Sequence, residues 1–347
     1  MNRLLIGLIG AVACAAPQVS PLDLSNSGLE AAMRGDQAQA ERLYRQAIPI
    51  WRGMGPSYRP HLATTLTNLG QALCAQGRRR EGVDAFEESL ALLRGTLGFQ
   101  HLNTLTTLNV MAGAYVMLGD DARASALFEE ALPVERKLYP GDVQLARTLV
   151  GMAALRQHAG KPDEALPLAE EGLTIALRAA GENTQDAAVA YAMVAEVHRT
   201  AGRPERALPL YRKARAIYTQ LLGEAHPRVA SILTQEGLIL MDEGELSLAE
   251  KNMVRALEIT RQTCPQCVFE LWIGESNLGL LRFKQGRYND ADRLLTDALA
   301  LEEKSLDRLG PDTAATLQTL AKVREKQRRY EDAEQLHQRA ETILAYR

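Results

Sequence analysis

Gly35, Gly77, Gly119, Gly160, Gly202, Gly244 and Gly286 recur at intervals of 42, 42, 41, 42, 42 and 42 residues. A spacing that regular, kept over most of a 347-residue chain, argues against one central core. It describes small units, each too short to bury its own apolar side, that gain a core only by stacking on their neighbours. The next position in register is Arg328, where Arg328-Arg329-Tyr330-Glu331-Asp332-Ala333-Glu334 repeats the pattern of Gly286-Arg287-Tyr288-Asn289-Asp290-Ala291-Asp292.

Two further columns run with the glycines. Five residues after each marker stands Ala40, Gly82, Ala124, Ala165, Ala207, Ala249, Ala291 or Ala333. Twelve residues after it stands Ala47, Ser89, Ala131, Gly172, Ala214, Ala256, Ala298 or Ala340. The seven-residue offset puts both columns on one face of a helix, where small side chains let a neighbouring backbone approach. Tyr44, Phe86, Phe128 and Tyr211, nine residues after their markers, fill the space beside them. The glycine ends the preceding helix, where a left-handed residue is needed. Seven residues before each marker lies another small residue, and the one before that is apolar except at Glu236, which must reach solvent or pair locally. Eight helix pairs follow, the first truncated. Pro162 and Pro204 fall at first helical turns. Pro49, Pro133, Pro167 and Pro209 lie deeper and are expected to bend their helices.

These columns resemble the tetratricopeptide repeat (TPR), and the 42-residue period resembles its kinesin light chain variety. Tyr211 to Pro227, Leu66-Thr67-Asn68-Leu69-Gly70 and Ser276-Asn277-Leu278-Gly279 carry that resemblance. It implies an all-α fold, a right-handed α-solenoid of about eight helix-turn-helix repeats over residues 22–346, with first helices lining a concave groove. By register with the glycines, the groove positions include Thr64, Thr67, Asn68, Gln71, Asn109, Arg147, Gln157, Arg199, Gln235, Ser276, Asn277 and Lys322. Asn68 and Asn277 match a family asparagine whose side chain holds a peptide backbone. Val110, Gly151, Met193, Gln235 and Thr319 occupy that column elsewhere, so the asparagine ladder is not continuous.

Residues 1–16 read as a secretory signal, with Arg3, an apolar run from Leu4 to Ala13, and a small-residue exit at Ala15. A second reading takes Ala11-Val12-Ala13-Cys14 as a lipobox, with Cys14 lipidated as the only membrane attachment. A third leaves the apolar stretch as a buried helix of a cytosolic protein. Residues 17–27 read as a linker.

Forty basic against 43 acidic residues give a formal charge of −3, which argues against a sequence-independent nucleic-acid binder. Cys264-Pro265-Gln266-Cys267, placed in the loop between the fifth repeat and the sixth, is the one catalytic-looking motif. It reads as a disulfide or idle thiols shaping the loop; a redox couple and a metal pair are the alternatives. Cys74 reads as a small buried hydrophobe, His226 as a cap, and Arg78-Arg79-Arg80 as the start of a solvated helix. No catalytic residue, metal site or cofactor is expected. The chain reads as an exported scaffold holding another protein or an extended peptide. The alternatives are a thiol–disulfide oxidoreductase and a cytosolic assembly module.

Overall fold

The computed structural model describes residues 20–304 and 310–345, so Cys14 and the whole signal segment lie outside the described residues. Eight first helices are α1 (Pro21–Met33), α3 (Arg59–Ala75), α5 (Leu102–Leu118), α7 (Val143–His158), α9 (Gln185–Thr200), α11 (Pro227–Asp242), α13 (Val268–Lys284) and α15 (Pro311–Lys326). Their partners are α2 (Gln37–Gly53), α4 (Arg79–Thr96), α6 (Asp121–Leu138), α8 (Pro162–Ala179), α10 (Pro204–Leu222), α12 (Leu246–Thr263), α14 (Tyr288–Lys304) and α16 (Tyr330–Ala345). Each packs on its own partner and on the next pair, and most first helices also touch the first helix two along. This is a solenoid of helical hairpins, with no strand among the described residues. Helix α1 begins at Pro21, inside the stretch read as a linker. The helices holding Pro49, Pro133, Pro167 and Pro209 continue past them.

The local reasons are those in the sequence. Gly119 closes α5 at φ 74°, and Arg328 takes the same left-handed conformation at φ 64° where the last repeat has no glycine. All members of both small columns are buried, most of them completely. Tyr44, Phe86, Phe128 and Tyr211 are buried beside them. Glu236 is buried as well, and pairs locally: it accepts from Arg215 Nε at 2.8 Å and Asn252 Nδ2 at 3.2 Å.

The second helices carry a repeating ion pair along the outer face. Arg52 meets Glu88, Arg94 meets Glu130 and Arg136 meets Glu171, at 2.7, 2.8 and 2.9 Å. Exposed pairs of this kind contribute at most about 1 kcal/mol each. They do neutralise the outer charge locally.

The array coils tightly enough for successive turns to touch. A Cβ placed on Gly35, at the α1–α2 corner, would lie 3.5 Å from the His226 ring before α11. One repeat further, Arg79 lies over the Phe269 ring at 5.7 Å and pairs with Glu270 at 3.6 Å. Cys267 Sγ sits 3.9 Å from the Ala75 carbonyl oxygen, 192 residues away. Repeat one thus meets repeat six, and repeat two meets repeat seven. Arg79 corrects the solvated-helix reading of the arginine run: it is covered by α13. Cys264 and Cys267 form a disulfide, and counting helix pairs places it between the sixth repeat and the seventh rather than the fifth and sixth.

Two glycines test the packing account. A Cβ on Gly70 would fall 2.5 Å from Phe86 Cε1 and 2.8 Å from the Gly82 carbonyl oxygen, whereas one on Gly95 meets nothing within 4 Å. Gly70→Ala is expected to destabilise by about 1–3 kcal/mol. Gly95→Ala, in the exposed part of α4, should stabilise by up to about 1 kcal/mol. Urea midpoints of the two variants measure this, and shifts of the same sign would contradict it.

Candidate functional site

The first helices of repeats one to five turn their unpaired faces inward. They enclose a cavity of about 740 Å³, completed by His226 and Arg228 at the start of α11. That lies within the roughly 300–1,000 Å³ usual for ligand pockets. Its wall carries Leu29, Met33, Met117 and Val189, which are 46, 55, 48 and 37% exposed. These are large apolar side chains left uncovered inside a concave surface, the kind of patch that marks a binding site. Cys74, half-buried, also lines it; burial pushes its thiol up to about 11, so it stays protonated near neutrality.

Of the expected groove residues, Asn68, Gln71, Asn109 and Arg147 reach this cavity. Asn68 and Gln71 make no side-chain hydrogen bond among the described residues. Asn109 and Arg147 are engaged. Asn109 Nδ2 donates to Thr148 Oγ1 at 2.6 Å and to Glu135 Oε1 at 3.2 Å. Arg147 grips Asp186 through two bonds, 2.7 and 3.0 Å. Thr67 is buried and shares bonds with Ser89 and Thr107. Gln157, Arg199, Gln235, Asn277 and Lys322 do not line the cavity. Gln157 donates to Thr200, and Arg199 binds Glu196 on its own helix.

Many of these polar residues therefore tie one first helix to the next. Ser25 bonds Thr65, Thr67 bonds Thr107, Thr106 bonds Gln144, and Ser276 bonds Thr316, at 3.0, 3.0, 2.9 and 3.3 Å. Sequence register placed them on the correct helices but could not say which were engaged by a neighbour. His226 was legible as a cap, and its Nδ1 accepts from Arg228 N at 3.2 Å. Its second role, closing the cavity against Gly35, depends on a partner far back in the chain and left no local signal.

The tetratricopeptide repeat profile matches residues 61–137, 144–220, 187–262 and 269–345. The chain belongs to the tetratricopeptide repeat family. A search of curated proteins finds no match. Among solved structures, BtubC (BKLC) from P. vanneervenii is similar at 23% identity and TM-score 0.54, over 65% of this chain and 90% of that one. NprR, a quorum sensor from B. thuringiensis, solved in complex with its cognate peptide NprX, is similar at 16% identity and TM-score 0.64, over 93% and 87%. Rap protein complexed with Competence and Sporulation Factor is similar at 13% identity and TM-score 0.63, over 94% and 98%. At these identities the likeness is one of fold. The structural neighbours include kinesin light chain-like TPR proteins.

Beneath the TPR cavity floor lies a fully buried carboxyl. Glu135 accepts from Thr148 Oγ1 and Asn109 Nδ2, and no cation pairs with it among the described residues. Burial lifts it above its ordinary value of 4.5, opposed by bonds from Thr148, Asn109 and Gln144. A carboxyl raised on folding adds stability below its unfolded pKa and loses that contribution as pH rises through the folded value. Glu135→Gln, neutral at every pH and still able to accept from Thr148 through its carbonyl oxygen, should exceed the parent by about 1 kcal/mol at pH 8. The gap should close toward about pH 4, where the parent carboxyl is protonated too. Urea midpoints at both pH values measure this; an unchanged gap would contradict the account.

Proposed function

We propose that this TPR protein is a non-catalytic scaffold that holds an extended polypeptide segment in the cavity of its first five repeats. The observation that carries this reading is the uncovered apolar wall, with Asn68 and Gln71 beside it bearing unbonded amide groups. An amide side chain has both a donor and an acceptor, and so matches a peptide unit. That NprR and Rap protein were solved with a peptide and with Competence and Sporulation Factor supports it by fold analogy. No group of three or more His, Cys, Asp or Glu with metal-holding geometry occurs among the described residues.

The oxidoreductase alternative fares worse. A reactive thiol needs its thiolate stabilised, most simply at a helix N-terminus. Here Cys264, the more exposed of the pair, stands at the C-terminal end of α12, where the helix dipole opposes negative charge. Cys267, which does cap α13, is 5% exposed.

We further propose export, carried by residues 1–16, with Cys14 as a candidate lipid attachment. A disulfide between Cys264 and Cys267 suits an oxidising compartment and supports this reading. No helix among the described residues is long and apolar enough to cross a membrane.

Pull-downs with the full chain should recover a partner that the double variant Asn68→Ala, Gln71→Ala loses, while Lys322→Ala, outside the cavity, retains it. Equal recovery by all three would remove the cavity as the binding surface. Fractionation with the intact mass of the N-terminus tests export. An N-terminus at Ala16, or at Cys14 carrying acyl mass, is expected; an uncleaved cytosolic chain would refute it.

A further inference from the structure

The charges around the cavity narrow the chemistry of what it holds. The outer face is rich in ions, but they pair with each other from repeat to repeat. The inner wall is different. Among the described residues Asp186 is the only acidic one lining it, and Arg147 neutralises it through two hydrogen bonds. The wall therefore offers no free acid to a basic ligand. Burying a lysine or arginine there would leave a desolvated charge without a partner, which is unfavourable.

Arg228 has the opposite character. It lines the same cavity from the first turn of α11. Its guanidinium lies 5.5 Å from the Tyr218 ring centre, and Nη1 donates to the Tyr218 hydroxyl at 3.3 Å. Ring and hydroxyl hold its position. No carboxylate of the described residues lies within ion-pair distance of it. A positioned guanidinium with donors to spare is suited to a carboxylate.

We propose that the segment held in the cavity is apolar along its length and carries one carboxylate, which Arg228 receives. The proposal rests on the scaffold reading above and adds the ligand's chemistry to it. Leu29, Met33, Met117 and Val189 take the apolar side chains, and the two methionines can adjust to their shape. Asn68 and Gln71 meet backbone amides. Arg228 is five first helices on from Leu29 and Met33 in repeat order, and the return of His226 onto Gly35 brings the start of α11 back beside the end of α1.

The test is selection of a phage-displayed library of random dodecapeptides on the immobilised full-length protein, followed by affinity measurement on synthetic versions of the enriched sequences. The expected enrichment is for apolar sequences bearing one Asp or Glu and no Lys or Arg. Met117→Glu and Val189→Glu alter exposed side chains, so the fold should survive, which circular dichroism checks. Each should weaken the enriched peptide at least tenfold. Arg228→Glu should weaken it by about tenfold and restore binding to a version with Lys in place of the acid.

Peptides whose binding ignores Met117→Glu and Val189→Glu would sink the scaffold reading, and this proposal with it. Peptides that need those residues but are basic, or that bind Arg228→Glu unchanged, would overturn this proposal alone. No enrichment at all would count against both.

Discussion

The structure depends on close approach between helix backbones at two small residues per repeat. Ala40 and Ala47, Ala124 and Ala131, and Ala207 and Ala214 have no exposed surface, and each pair sits two turns apart on one helix. At that separation neighbouring helices nest, and an aromatic such as Phe128 or Tyr211 fills the flank. Larger side chains in either column would force the hairpins apart. Because the columns recur in every unit, each hairpin sits on the last in nearly the same way, and a constant step of that kind generates a coil.

The polar residues of the first helices have two roles. Thr67, Thr107, Thr106, Gln144 and Thr148 bond across to neighbouring first helices and set their mutual register. Asn68 and Gln71 do not, and are available to a ligand. The division follows depth. The bonded residues lie mostly below the rim, where an unsatisfied polar atom would cost about 1–3 kcal/mol. The free ones stand where water or a peptide can reach them.

Much of this was written in the sequence. The glycine period and the small columns gave the eight helix pairs, because local propensity and packing face agree from repeat to repeat. What stayed hidden came from contacts the period does not encode. Arg79 looked like a solvated charge and is covered by Phe269, a residue of another turn. Asn109 looked free, and its amide is held by Glu135 and Thr148. Lys322 and Asn277 sat in register with the groove, yet the cavity is confined to the earlier repeats, because it is closed by α11 folding back rather than by anything local to those residues.

That return contact changes the kind of object the chain is. An open stack of hairpins transmits only nearest-neighbour effects and frays from its ends. Here the start of α13 rests on the α3–α4 corner, Cys267 on Ala75 and Phe269 and Glu270 on Arg79. Early and late parts of the ribbon therefore share an energy that neither has alone. Melting should be more concerted than in a stack, and folding should slow, since its last step must bring together segments nearly two hundred residues apart.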